Sequence, residues 1–176
     1  MRKVLYILGQ MSDDDIEWMI ANGTARRLAP GEPLIREGQQ PDALYIVLEG
    51  ALAVSSGAGE IARLGAGEII GEISFVDTRP PVASVAAAQP ATLLALDRQR
   101  LYAKLDRDPW FAARFYRAVS VFLADRLRNT VNQLGYGQAG QHGAATEYQG
   151  ELDISVLDNV HLAGARFDRM LKQFVG

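Results

Sequence analysis

Short runs of apolar residues alternate with turns throughout the middle of the chain. Each turn contains glycine or proline, and the runs are shorter than typical helices. This spacing predicts antiparallel strands that fold into a sandwich or a jelly roll. In the hairpin of residues 42–55, both alternating sets of side chains are apolar, so we expect both of its faces to be covered. The predicted strands are residues 26–29, 33–36, 42–48, 51–55, 60–64, 84–88 and 92–96.

Helical patterns flank these strands on both sides. Before them, Ser12 and Asp15 form a capping-box signal for a helix over residues 12–21. After them, the sequence predicts helices over residues 97–105 and 109–134, the second with proline at its first position. We therefore predict a mainly β fold with flanking α-helices. It is an antiparallel β jelly roll (double-stranded β-helix) with an N-terminal helix and a long C-terminal helix.

The long helix carries two apolar stripes instead of one. A single stripe is enough to cover a jelly roll, so the second predicts a homodimer through residues 109–134, from Pro109 to Leu134. The alternative is one helix that is wedged deeply into its own domain. The first stripe is Phe111, Phe115, Ala118 and Phe122, and the second is Val119, Leu123, Leu127, Thr130 and Leu134.

Composition changes after the long helix. Residues 135–150 contain five glycines and few apolar residues, which is typical of a linker. Residues 151–176 become periodic again, and we expect residues 162–174 to form an amphipathic helix that docks on the domain or on its dimer mate. The chain is therefore divided into a domain (1–134), a glycine-rich linker (135–150) and a helical tail (151–176).

Composition and charge exclude several classes of function. The apolar fraction of 48% supports a real core, and the net charge of −3 argues against a DNA partner. The absence of cysteine excludes disulfides and thiolate metal sites. The apolar run after Arg2-Lys3 is too short for a signal peptide, and the uncharged run of residues 80–96 is too short to span a bilayer. We expect a cytoplasmic protein with no membrane partner.

Chemistry concentrates in residues 69–88. This segment opens on Gly71-Glu72, turns at residues 77–81 and leaves as a strand headed by Ser84. The frame formed by GEISF (71–75) and RPPVASV (79–85) resembles the phosphate-binding cassette of the cyclic nucleotide-binding domain family. The phrases GEPLIREGQQPDALYIVLEGALAV and LGAGEIIGE also resemble this family, most closely its catabolite-activator-like effector domains. The resemblance covers about residues 5–134.

The resemblance implies a role for each residue of this cassette. Glu72 would hold a ribose 2′-hydroxyl, although its alternative role is a structural cap. The phosphate-clamping arginine of the family falls at Pro81, which has no side-chain donor and no backbone N–H. The other candidates are backbone N–H groups at Gly71, Ile73, Ser74 and Ala83, the Arg79 guanidinium unless it faces solvent, and the Ser84 hydroxyl unless it only starts a strand.

The resemblance implies a regulatory ligand-binding module, with possible ligands cAMP or cGMP that bind weakly because of Pro81. A bound ligand would pull a hinge near residues 96–108, and the long helix would close as a lid. The alternative is a ligand-free module for protein–protein interaction or dimerisation. The tail is too short for a separate DNA-binding domain. We expect no catalysis, metal or cofactor, because both histidines, His142 and His161, lie outside the predicted strands and no catalytic motif is recognisable.

Overall fold

The computed structural model describes residues 4–57, 59–136 and 154–176. In these residues the chain forms eight strands and six helices. The helices are α1 (Val4–Gln10), α2 (Asp13–Asn22), α3 (Glu72–Val76), α4 (Arg98–Arg107), α5 (Pro109–Tyr136) and α6 (Ile154–Phe174). The strands are β1 (Gly23–Leu28), β2 (Pro33–Ile35), β3 (Ala43–Glu49), β4 (Ala51–Ser56), β5 (Gly59–Gly65), β6 (Ile69–Ile70), β7 (Ser84–Ala87) and β8 (Ala91–Asp97).

The strands form two four-stranded antiparallel sheets. One has the order β1-β8-β3-β6 and the other β2-β7-β4-β5. An apolar core that includes Val47, Val54 and Leu93 fills the space between them. The helices pack on the outer face of the first sheet, against Leu44 and Ile46. This confirms the predicted jelly roll with flanking helices.

Strand β3 shows why both of its faces read as apolar. Tyr45 and Val47 face the core between the sheets, whereas Leu44, Ile46 and Leu48 face the helices. All of β3 except its last residue is buried. The prediction of two covered faces therefore holds for β3. Residues 42–55 do not form the paired hairpin that was predicted, because β3 and β4 lie in different sheets. One face of β4 is only half-buried, at Ala51, Ala53 and Ser55.

Helix α2 begins with the predicted capping box. The Ser12 side chain accepts a hydrogen bond from the Asp15 N–H at 3.2 Å, and the Asp15 carboxylate accepts one from the Ser12 N–H at 2.7 Å. The helix is followed directly by β1 at Gly23. A side chain there would collide with Leu94, since a Cβ would lie 2.2 Å from its Cδ1 atom. Glycine thus allows α2 to lie close to the first sheet.

The long helix α5 buries its first apolar stripe completely. Phe111, Phe115, Ala118 and Phe122 are all in the helix-side core, and Phe111 meets Trp18 of α2 edge to face at 5.3 Å. The second stripe divides: Val119 is buried and Leu123 packs against the same core, whereas Leu127 is 64% exposed. The wedged-helix alternative therefore holds for the first half of that stripe. The side chain of Leu134 lies outside the described residues.

Two helices at the ends of the chain pack together. Helix α1, which the sequence analysis did not predict, packs on α5 and α6 and buries Ile7 and Leu8. Helix α6 buries Ala163, Phe167 and Met170 against α1 and α2, which agrees with an amphipathic helix that docks on its own domain. Linker residues 137–150 and tail residues 151–153 lie outside the described part of the chain. In the part described, no helix is both long enough and apolar enough to cross a membrane.

Candidate functional site

A cavity of about 550 Å³ lies between the cassette and the second sheet. Helix α3 and the residues before it form one side, and residues 79–83 form the rim. The sheets contribute aliphatic side chains. From the helical layer, Arg126 is the residue that reaches the cavity among the side chains of α5 that the structure describes. The aliphatic lining from the strands is Ile35, Val54, Leu64, Ile69, Ile70 and Val85.

Gly71 positions the start of the cassette helix. Its φ of +90° is left-handed, and a Cβ there would lie 3.2 Å from the Ala43 carbonyl oxygen. Glycine is the residue that adopts this conformation without strain. The turn at Gly71 leads the chain from β6 into α3 and places Glu72 in the first turn of that helix, inside the cavity.

Glu72 forms a buried ion pair with Arg126. The carboxylate is 2% exposed, and its Oε1 atom accepts a hydrogen bond from Arg126 Nη1 at 2.5 Å. Burial raises the pKa of the Glu72 carboxyl above its ordinary value, although the nearby Arg126 opposes this effect. The pair joins the cassette to the long helix across 54 positions of sequence.

Arg126 is not among the site residues predicted from the sequence, although the sequence contains a signal for it. Position 126 continues the buried stripe of Phe115, Ala118 and Phe122 by one further helical step. A cation on the core-facing side of an apolar helix requires a buried partner. The one carboxylate that the resemblance places in the pocket is Glu72, so the two residues could have been paired by this argument.

The turn that would meet a phosphate offers few donors. The Pro81 carbonyl accepts a hydrogen bond from the Gly38 N–H at 2.8 Å, which fixes the rim to the β2–β3 loop. The Arg79 side chain is 82% exposed, and its Nε donates to the Asp77 carboxylate at 2.8 Å. Between them in the turn, Thr78 has a positive φ of 61°, which is rare for a β-branched residue. Arg79 therefore faces solvent at the mouth of the cavity.

The structure brings seven of the eight predicted site residues to the cavity. These are Gly71, Glu72, Ile73, Ser74, Arg79, Pro81 and Ala83. Ser84 is placed elsewhere: its hydroxyl oxygen accepts a hydrogen bond from the Glu37 N–H at 3.0 Å, next to the pairing of β2 with β7. In this structure Ser84 is therefore the residue that starts strand β7. A ligand-binding role for all eight residues stays a prediction.

The cassette helix is also attached to helix α4. Arg98 Nη2 donates to the Ser74 carbonyl at 2.5 Å, and the Tyr102 hydroxyl donates to the Phe75 carbonyl at 2.9 Å. The rings of Phe75 and Tyr102 stack at 4.4 Å, with the Arg98 guanidinium 5.4 Å from each. Arg98 and Tyr102 therefore join α3 to the first half of α4.

These features define a class of protein, a jelly-roll domain with a ligand-sized cavity beside its helical layer. A jelly roll encloses a small-molecule cavity, and the helix that borders the cavity contacts both α4 and α5. Such an arrangement suits ligand-dependent regulation. Within the described ranges, no group of three or more His, Asp or Glu side chains is placed to hold a metal ion.

Comparison with known proteins gives the family. Residues 25–108 match the cyclic nucleotide-binding domain model. A cyclic AMP receptor protein of Thermus thermophilus is 37% identical over 109 residues, which cover 58% of this chain and 49% of that protein. A solved cyclic nucleotide-binding domain from Methylobacillus flagellatus has a TM-score of 0.68 at 25% identity, over 79% of this chain and 84% of that one. The N-terminal domain of a transcriptional regulator from Streptomyces coelicolor has a TM-score of 0.58 at 31% identity, over 80% of this chain and 99% of that one.

The chain carries a domain of the cyclic nucleotide-binding family, and this confirms the resemblance drawn from the cassette. The family is one of regulatory ligand-binding domains. The chain spans between 25% and 49% of the length of three curated relatives that it matches.

Proposed function

We propose that this domain is a regulatory sensor of a small molecule, and that it binds cAMP and cGMP weakly or not at all. The observation that carries this proposal is Pro81, at the position where the family's phosphate-clamping arginine would fall. The cavity supports a ligand, while the guanidinium of the rim, on Arg79, faces solvent and is bonded to Asp77. The proposed action is binding, not catalysis.

The missing guanidinium has a large energetic effect. A cyclic phosphate keeps one full negative charge, and burying it without a partner is expensive. Truncating one partner of a buried, hydrogen-bonded charge pair costs roughly 2–5 kcal/mol. The two arginines that line the cavity do not replace the missing guanidinium in this geometry. Arg79 is bonded to Asp77 at the surface, and Arg126 is bonded to Glu72.

The contacts of α3 supply a mechanism for regulation. A ligand that displaces α3 would move the Ser74 and Phe75 carbonyls that Arg98 and Tyr102 bond, and so would move α4. A ligand that reaches Glu72 would also change the bond to Arg126 on α5. The first effect acts on α4 and the second acts on α5. These contacts support the proposal that α4 works as the hinge and α5 as the lid that the family resemblance implies.

Titration calorimetry with cAMP and cGMP tests the proposal. Wild-type protein should give weak or undetectable binding. Pro81→Arg should strengthen binding by at least about tenfold, or roughly 1.4 kcal/mol, because it restores a guanidinium at the rim. The control is Pro80→Arg, which adds the same charge one position away and should have a smaller effect. Micromolar or tighter binding by the wild type would contradict the proposed role of Pro81.

The exposed part of α5 favours a second candidate function, dimerisation. Leu127 is 64% exposed and Val131 is 56% exposed, and the two lie one turn apart on the same helix face. An apolar pair of this kind on the long helix is suited to a second copy of the chain. We propose a homodimer through this face. Dimerisation is compatible with a sensor, and it would also serve a module that binds no ligand.

A further inference from the structure

We propose that the cavity selects an uncharged, largely apolar molecule, which presents one hydroxyl or N–H group to the Glu72 carboxylate. This inference rests on the proposed function and names the chemical class of the ligand. The proposed ligand class follows from all the residues that line the cavity, whereas the proposed weak binding of cAMP and cGMP follows from position 81.

The size and walls of the cavity favour an apolar skeleton. Its volume of about 550 Å³ lies within the range of ordinary ligand sites, roughly 300–1,000 Å³. Branched aliphatic side chains from both sheets form the floor, and the middle of the rim is Pro80, Pro81 and Val82. Proline offers no N–H group, so two adjacent positions of the rim present carbon instead of hydrogen-bond donors. Apolar surface that leaves water for this lining is stabilised by the hydrophobic effect.

The charges around the cavity cancel in pairs. The charged side chains among the described lining residues are Glu72, Asp77, Arg79 and Arg126. Each carboxylate is bonded to one guanidinium, at 2.5 Å for Glu72–Arg126 and at 2.8 Å for Asp77–Arg79. A charged ligand therefore finds no unpaired charge of the opposite sign among these lining residues. To form an ion pair, it would have to break one of the two existing pairs. Burying a charge under these conditions is unfavourable.

Glu72 supplies a polar anchor at the buried end of the cavity. A carboxylate has about four acceptor positions, so its bond to Arg126 leaves capacity for a donor from a ligand. Arg126 holds the carboxylate in a fixed orientation toward the cavity. A hydroxyl or N–H group satisfies this oxygen without adding charge. A ligand carboxylate or phosphate at the same place would be repelled by Glu72.

Two matched dyes test this inference. N-phenyl-1-naphthylamine is neutral and carries one N–H group, and 8-anilinonaphthalene-1-sulfonate has the same skeleton with an added sulfonate. We expect the neutral dye to bind the wild-type chain at a single site at least about tenfold more tightly than the sulfonate, because the sulfonate brings an unpaired charge. Pro81→Arg should reverse part of this preference by strengthening the binding of the sulfonate.

A matched pair of variants on α3 locates the site. Ile73 lines the cavity and is 52% exposed, whereas Val76 is 47% exposed on the same helix and lies outside the lining. Ile73→Trp should weaken binding of the neutral dye at least about tenfold by filling the space, while Val76→Trp should change it less than about twofold. Thermal unfolding of both variants checks that each remains folded.

Three outcomes would overturn the inference. They are equal or tighter binding of the sulfonate by the wild type, binding of the neutral dye that Ile73→Trp leaves unchanged, and no binding of either dye. None of these decides the proposed sensor function, because that function is tested separately by the response of Pro81→Arg to cAMP and cGMP. A sulfonate that binds tightly at Ile73 would contradict the ligand class and still support a small-molecule sensor.

Discussion

Arg166 lies almost entirely inside the protein, although its guanidinium carries a full positive charge. It is 7% exposed, and its Nη1 atom donates to the Leu8 carbonyl of α1 at 2.7 Å. Its Nε atom donates to the Asp13 carboxylate of α2 at 2.8 Å. One side chain therefore connects α6 to both N-terminal helices. It also satisfies a carbonyl near the end of α1, where the helix itself provides no partner.

We expect Arg166→Ala to lower the free energy of unfolding by about 2 kcal/mol, because it leaves the buried Leu8 carbonyl without its donor. The matched control is Arg169→Ala. Arg169 is also on α6, but its partner Glu17 is 59% exposed, so that loss should be below about 1 kcal/mol. Urea unfolding midpoints measure both. Equal losses would show that the buried carbonyl bond is not what holds α6.

Helices α2 and α5 are joined by a carboxylate that also caps a helix. Asp15 is 3% exposed and accepts two hydrogen bonds from Arg114, at 2.6 and 2.8 Å. Burial by itself would raise the pKa of Asp15. The bonds from Arg114 and Ser12 outweigh burial and hold the pKa below its ordinary value of 3.8.

This shift predicts a pH dependence. Because the folded pKa of Asp15 lies below its unfolded value, the pair stabilises the fold above pH 3.8, and the stabilisation is lost as pH falls through the folded pKa. The difference in unfolding free energy between wild type and Asp15→Asn should therefore shrink from about pH 5 to about pH 3. Asp14→Asn, at an exposed neighbour in the same turn, should show a smaller change. A difference that is constant with pH would contradict this role of Asp15.

The elements that sequence could predict are those with their own local signals. Glycine turns separate the longer strands, Ser12 caps α2, and Asp97 accepts the Arg100 N–H at 2.8 Å to cap α4. Helix α1 lacks such signals and is shorter than an isolated helix needs, so its formation depends on burial against α5 and α6. Strand β6 has only two residues and exists through its pairing with β3.

The same distinction applies to the candidate site. The cassette residues are close in sequence, so a local motif could bring them together. The pair of Glu72 with Arg126 and the bond of Arg98 to Ser74 join separate elements, and their geometry depends on how the helical layer sits on the sheet. Ser84 shows the reverse case. Its place in the motif suggested a ligand contact, but the neighbouring loop supplies the Glu37 N–H as its partner.

The exposed face of α5 predicts that two copies of the chain assemble into a dimer. Introducing glutamate at both Leu127 and Val131 should convert a dimer into a folded monomer, because charges would replace the apolar pair at the interface. The control is Trp110→Glu, at a residue that is 77% exposed near the start of the same helix, and it should leave the dimer intact. Light scattering measures the mass of each variant. A wild type that is monomeric at high concentration would contradict the prediction.

The contact between Trp18 and Phe111 has an optical consequence. The chain has two tryptophans, and the other, Trp110, is 77% exposed at the first turn of α5. Trp18 lies 5.3 Å from the Phe111 ring and 5.8 Å from the Lys104 ammonium, between α2, α4 and α5. Replacing Trp110 with phenylalanine leaves Trp18 as the single tryptophan, at the place where α4 meets α5. The intrinsic fluorescence of this tryptophan, through its emission wavelength and lifetime, then reports on that junction without an attached label.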